Sequence, residues 1–593
     1  MKRILPVLLA LLALAGLSAC KDTSGPDGPA LSQLTISPSP LYLGVGDTMH
    51  LTAVGTKASD DSRVEVSPEY KSSNPSVASV DASGLVTGKA VGSATITAKA
   101  GGQSQTVQVS ILDSGSFRTF NVNAKDTNAD QCDIPINHAA RLVATSAHAQ
   151  VYEDNTNPSG GFSAAEYQAI LNEFESIVWP TDSLNFGNPS DLDGNHKVII
   201  LYTRAVNDLT PPGADFVVGG FYYGRDLFPR AEANGLQACP TSNLAEMFYM
   251  LVPDPTGASN GHVRTKDYVR EGTVGTIAHE LQHLINASRR LYIHDADFED
   301  VWLDEGISHI AEELNFFAAR GLGPRQNLGQ SQVFATQAQV NTFVEFEAQN
   351  FGRFAEYLSA PSANAPYADG DDLATRGATW SFLRYTADRR AGNDQQYWFA
   401  LVNTKNQGLA NLQAVLGTDP VLWARDWTVA NYTDDVVPTP AVFQQPSWQF
   451  RDIYSNPGFG GYPLSVTSLG NTSYNFAIQA GSAAYLKFGV ATGQQADLRF
   501  IQAGSGSVAG TCAVQNLAVG GSVQVILGAA GAALCFPGPG EYVAIPFHAS
   551  NTLDQNFNLA VTASNVVTPV GPPNPNKIPS RLFSLDGRPL TNG

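Results

Sequence analysis

The stretch TIAHELQHLIN, residues 276–286, limits the possible folds more than any other part of the chain. Read at 3.6 residues per turn, Val274, Ile277, Ala278, Leu281, Leu284 and Ile285 form an apolar side that has to be buried against another layer. The remaining side carries His279, Glu280 and His283. Positions four apart differ by about 40° of rotation and one turn of rise, so the two histidines project side by side. Two imidazole nitrogens so placed can each approach one zinc ion to the roughly 2.0–2.1 Å that coordination requires. Glu280, rotated by about 100° from His279, flanks the pair. The alternative is an ordinary amphipathic helix with a solvated polar face.

A third ligand favours the metal. Downstream, VWLDEGISHIAEEL has an apolar stripe of Val301, Ile307, Ile310, Leu314 and Phe317, with Glu305, His309 and Glu312 on the polar side. A catalytic zinc takes three protein ligands and keeps one position open, and two His with one Glu is a known set. An antiparallel neighbouring helix would deliver Glu305, with Gly306 allowing close approach. HExxH followed by a glutamate in WLDEG resembles the gluzincin pattern. Together with HELQHLIN and RGATWSFLRY, these residues make 117–436 similar to the hyicolysin family of secreted bacterial gluzincins. The resemblance implies a zinc endopeptidase acting on protein or peptide, with zinc on His279, His283 and Glu305 and with Glu280 as general base. Where thermolysin-like members have an Asp four residues after the ligand Glu, this sequence has His309, which leaves the support of the metal-bound histidines unassigned. Tyr367, Tyr385 and Arg376 are candidates to share the charge of an oxyanion, each more readily read as structural.

The central region is expected to be α+β and zincin-like. ARLVATSAHAQVYE, HKVIILYT, VVGGFYY and AEMFYMLVP have strand composition. FSAAEYQAILNEFESIVWP reads as a helix capped by Ser163 and Glu166 and ended by Pro180. Val217 to Gly224 is a candidate edge strand on which an extended substrate could pair. The chain reads mostly helical after Trp302.

Both flanks alternate with period two. Residues 31–112 read as a small β-sandwich, in which SSNPSVASVDASGLVTGKAVGSATITA (72–98) resembles the group 2 bacterial immunoglobulin-like module, BIG2. Residues 447–563 read as a second sandwich of unknown ligand, followed by a Pro-rich tail, 564–593. The opening MKRILPVLLALLALAGLSAC is laid out as an export signal, residues 1–20, with a lipobox ending at Cys20, and 21–30 follow as a linker. This predicts an exported protein, anchored to a membrane only through a lipid on Cys20 or released outside the cell. Cys132, Cys239, Cys512 and Cys535 divide naturally into Cys132–Cys239 and Cys512–Cys535, although four cysteines permit three connectivities.

The net charge of −19, from 54 acidic and 35 basic residues, argues against nucleic-acid binding. Asp191, Asp193 and Asn195 alternate like the first half of a calcium loop, but Tyr202 stands where the closing glutamate would be; a plain Asx-rich turn is the other reading. The rival to an enzyme is a surface adhesin with a non-catalytic zincin domain.

Overall fold

The structure, a computed structural model, describes residues 29–568 apart from short interruptions such as 113–116, 125–131 and 503–509, together with a two-stranded fragment at Leu582–Phe583 and Pro589–Leu590. Cys20, the signal-like segment and most of the Pro-rich tail lie outside the described residues.

The N-terminal unit packs short strands around a core that includes Leu41, Leu43, Ile96, Val107 and Val109, all fully buried. Its longest strands, Gly92–Ala100 and Gln103–Leu112, pair as an antiparallel hairpin across Gly101 and Gly102, both at positive φ. Alternation within Gly92–Ala100 puts Ala94, Ile96 and Ala98 inward, as period two requires.

The central unit opens with a six-stranded sheet. Its strands are β1 (Phe117–Asn121), β2 (Asn137–Thr145), β3 (Ala149–Asp154), β4 (Val198–Tyr202), β5 (Gly220–Tyr222) and β6 (Met247–Met250), in the spatial order β1-β2-β3-β4-β6-β5. β3, β4 and β6 are parallel neighbours, and β5 pairs antiparallel with β6 at the sheet edge. β4 and β6 are continuous apolar runs because both their faces are covered.

Helix α1 (Ala164–Glu173) begins with the reciprocal Ser163–Glu166 capping box. Contrary to expectation, Pro180 does not end the helical path. A π-turn over Phe174–Val178 precedes it, and a further helix, Trp179–Phe186, carries Pro180 in its first turn, where no backbone N–H is required of it.

Helices α2 (Thr273–Tyr292), α3 (Val301–Arg320), α4 (Ala348–Ser359) and α5 (Leu373–Arg389) follow. The apolar side of α2 is fully buried at Val274, Ile277, Ala278, Leu281, Leu284 and Ile285. Its first turn is tied down by Glu345, whose Oε1 accepts from the N–H groups of Val274 (2.6 Å) and Gly275 (3.0 Å).

The helical run continues past residue 436 to Phe450–Tyr454, and the first strand of the C-terminal unit starts at Thr467. Two sheets of five and four strands then form the second β-unit. Cys512 and Cys535 lie on strands of different sheets, Gly510–Asn516 and Ala533–Pro537, but their side chains lie outside the described residues. Cys132–Cys239 is a disulfide joining the β1–β2 connection to the loop before β6. The C-terminal unit shares its apolar interior with the helices: Tyr485, Val543, Ile545 and Phe547 belong to the central core, and Tyr485 donates to Thr428 O at 2.7 Å.

Asp434, which ends the helix Pro420–Thr433, accepts from the Gln445 N–H at 2.9 Å. Burial pushes its carboxyl up to about 8. The folded state therefore keeps the proton after the unfolded chain, with an ordinary value near 4, has released it. Stability from this group is fully present below about pH 4 and is lost as pH rises toward 8. Asp434→Asn, which preserves the acceptor, should raise Tm at pH 8 and leave it nearly unchanged at pH 4; an equal shift at both pH values would show that Asp434 is ionised in the fold.

Candidate metal centre

α2 and α3 run antiparallel. The contacts between them pair Asn286 with Asp304, His283 with Asp304 and Glu305, Gln282 with Ser308, and His279 with Glu312. The Nε2 atoms of His279 and His283 are 3.1 Å apart. Glu305 Oε2 lies 3.3 Å from the first, and Oε1 3.7 Å from the second. A tetrahedron with arms of 2.0–2.1 Å has edges of about 3.3–3.4 Å. The two nitrogens and the Glu305 carboxylate, each nitrogen nearest a different oxygen of it, lie close enough to share one metal ion. The three side chains predicted as ligands from sequence do come together.

The remaining ring nitrogens are occupied by carboxylates. His279 Nδ1 is 2.9 Å from Glu312 Oε1, and His283 Nδ1 is 2.8 Å from Asp304 Oδ2. With Nδ1–H donated in each case, both Nε2 lone pairs are directed toward Glu305. Asn286 and Ser308 brace the second contact, Asn286 donating to Asp304 Oδ1 at 2.5 Å while Ser308 Oγ sits 3.1 Å from His283 Nδ1. The support left open by the His309 substitution is thus provided by Asp304 and Glu312. Asp304 stands next to Glu305 in WLDEG, and Glu312 lies two turns beyond on the same polar side; their pairing with α2 depends on the relative position of the two helices.

The electrostatics favour positive charge at this point. Burial opposes protonation of His283, but Asp304 and Glu305 outweigh it and hold its pKa well above the usual range. His279 is raised too, its burial being overcome by Glu305 and Glu312. Burial acts against ionised Glu305, yet Arg376, His283 and His279 hold its carboxyl well below normal. A cluster that retains protons between two imidazoles and an ionised carboxylate suits a divalent cation. His279, His309 and Glu312 also lie close enough to hold a metal. His309 is fully buried and does not reach the cleft, whereas His279, His283 and Glu305 all line it. The His279–His283–Glu305 set fits better.

Glu280 is buried beside the cluster and accepts from the Tyr222 N–H of β5; its pKa is raised by burial. A cleft of about 670 Å³ opens over these residues, bordered by β5 and the segment leading to it, the start of α2, and Gln349, Arg353, Asp371 and Arg376. Gly220 lets β5 lie this close: a Cβ there would come within 2.8 Å of Tyr249 O and 2.9 Å of Thr276 Cγ2. Gly306 is placed differently from the sequence expectation. A Cβ on it would meet Thr379 and Leu383, so it admits α5 to α3 and not α3 to α2. Of the three oxyanion candidates, Arg376 alone lines the cleft, with Nη1 2.9 Å from Glu305 Oε2. Tyr367 and Tyr385 are buried and donate to Ser550 O and Val442 O.

At the calcium candidate, Asp193 accepts from Asn195 and pairs with Arg118 at 3.2 Å. Asp191 accepts from the His196 N–H, and Asn195 from the Lys197 N–H. Asp191 and Asp193 also lie near the buried Glu246.

Residues 30–111 match the family of bacterial Ig-like domains (group 2), and the N-terminal unit is such a domain. A 146-residue stretch is 33% identical to neutral metalloprotease ShpI of Staphylococcus hyicus, covering 24% of this chain and 30% of that protein. A 175-residue stretch is 29% identical to ice-binding protein 1 of Shewanella frigidimarina (strain NCIMB 400), covering 29% of this chain and 18% of that protein. The chain thus spans less than a third of either relative's length. Domains 4–9 of the surface layer protein SbsC match at 19% identity over 20% of each chain, with a TM-score of 0.14, too slight to bear on the fold.

Asp304→Ala and Glu312→Ala should each weaken zinc binding by about 10–100-fold, read by competition with a chromophoric chelator. Unchanged affinity in both would show that the imidazoles need no carboxylate support.

Proposed function

We propose that the chain is an exported zinc-dependent endopeptidase. The observation that carries this reading is the convergence of His279, His283 and Glu305 under an open cleft, with Glu280 beside them and a sheet edge along the rim. The partial identity to a neutral metalloprotease supports it. The signal-like N-terminus and the Ig-like domain support a place in the cell envelope or outside the cell. Among the described residues no helix is long and apolar enough to cross a membrane.

His279, His283 and Glu305 would hold the zinc. When bound, zinc lowers the pKa of water toward about 7 and polarises a carbonyl. β5 offers its outer backbone edge to an extended peptide. Glu280 takes the proton of the attacking water and returns it to the leaving amine; its buried carboxylate is already biased toward proton uptake. Arg376 holds Glu305 in place and faces the cleft, where it adds positive charge for a developing oxyanion. Asp304 and Glu312 fix the tautomer and the orientation of the two imidazoles.

A surface adhesin with a non-catalytic site is the second reading, favoured by the partial identity to an ice-binding protein. The two separate on one experiment with the purified full chain. Under the peptidase reading, stoichiometric zinc is found, casein hydrolysis is abolished by chelators, and Glu280→Gln keeps the zinc while losing activity by about 10²–10⁴-fold. Glu305→Ala should lose zinc affinity. Undiminished hydrolysis by Glu280→Gln would sink the mechanism, and zinc binding without any hydrolysis would favour the adhesin.

A further inference from the structure

Arg353 projects from α4 into the side of the cleft that also holds Gln349, Asp371 and Arg376. It is only 8% exposed. Its Nη1 lies 3.0 Å from His309 Nε2, and Nη2 donates to Gln349 Oε1 at 2.9 Å. Neither acceptor carries a negative charge.

Of the carboxylates whose field reaches Arg353, Glu356 on the same helix lies beyond ion-pair contact, and the others are committed elsewhere. Glu312 is shared between His279 Nδ1 and His309 Nδ1, at 2.9 and 3.2 Å. Glu305 is held by the two metal-site histidines and Arg376, and Asp371 by a two-pronged contact with Arg376 at 2.6 Å. Among the described residues no carboxylate is in ion-pair contact with Arg353. Arg264, also buried, has no ion pair among the described residues but does not line the cleft; of the others, Arg290 pairs with Glu299 at 3.0 Å, Arg225 with Asp226 at 3.2 Å, and Arg384 with Glu313 and Asp394 at 3.2 and 2.7 Å. Each of those pairs is closed and internal. Arg353 alone of these five arginines borders an open cleft, and it has been withdrawn from water without a counter-ion. A desolvated charge calls for an opposite one, and a guanidinium fork matches a carboxylate in shape as well as sign.

We infer that Arg353 is the receptor for a carboxylate on the substrate. On the peptidase reading above, the chain cleaves peptides bearing a carboxylate near the scissile bond, either an acidic side chain or the peptide's own C-terminus. Arg353 is also linked to the metal site. Arg353 Nη1 lies 3.1 and 3.0 Å from the two ring nitrogens of His309, whose Nδ1 also meets Glu312, and Glu312 in turn accepts from His279 Nδ1. A carboxylate that engages Arg353 therefore steadies the hydrogen-bonded chain that orients His279.

The test uses the zinc-loaded full chain and matched fluorogenic peptides. One series places Glu or Gln at each position flanking the cleaved bond, and a second compares free-acid with amidated C-termini. A preference of at least about tenfold in kcat/KM for the carboxylate member identifies the source as side chain or terminus. Arg353→Gln should bring that ratio close to one, and Arg353→Lys should keep part of it. Where Arg353→Gln fails to fold, calorimetry with the Glu280→Gln variant decides, because an uncleaved carboxylate peptide should bind at least about tenfold more tightly than its neutral partner. Cleavage with no carboxylate preference in either series overturns this inference and leaves the peptidase reading standing. If no peptide is cleaved, the peptidase reading falls, and equal binding of charged and neutral peptides in the calorimetric arm removes the role of Arg353 as well.

Discussion

The two imidazole–carboxylate contacts between α2 and α3, His279 with Glu312 and His283 with Asp304, are the interaction on which the centre depends. Each spends one ring nitrogen on a neighbouring helix, so the other has a single direction left. The helices can bury these groups because polar partners meet polar partners across the interface while apolar sides face away, α2 toward the sheet and α3 toward an aromatic cluster of Phe316, Phe317, Trp448 and Phe351. An unmatched charge at this depth would be strongly destabilising, whereas here each of the two imidazoles meets a carboxylate.

The remaining helices build outward from that pair. α5 brings Arg376 to Glu305 because Gly306 leaves room for Thr379 and Leu383. α4 brings Arg353 to His309. On the opposite rim, Gly220 lets β5 settle against α2, so a backbone edge runs beside Glu280. Charge, hydrogen-bond donors and the last strand of the sheet thus meet in one cleft, although each comes from a different part of the chain.

Much of this was legible in the sequence. The helix bearing His279, Glu280 and His283 declares itself by period, and Glu305 follows from the polar side of the next helix. The strands β2, β3, β4 and β6, and the Ser163 cap, are equally local signals. What was not legible depends on one element's position against another. Glu312 was visible on the polar side of α3, but its partnership with His279 needs the antiparallel alignment of two helices. Gly306 signalled a close approach without saying which helix arrives. Pro180 reads as a stop because a π-turn upstream, which moves the missing donor into a first turn, leaves no mark in apolar spacing. Arg353 lies in no motif, and its interest comes from having no carboxylate in ion-pair contact among the described residues.

The two flanking β-units are joined to the centre by different means. The Ig-like domain keeps its own separate core and meets the central unit through polar contacts such as Arg230 to Thr52 and Asn137 to Ser39. The C-terminal unit contributes Tyr485, Val543, Ile545 and Phe547 to the same interior that backs the helices. Removing the Ig-like end would leave the interior of the central unit covered. Removing the C-terminal end would open that interior to water, because the side chains that close it would go with it.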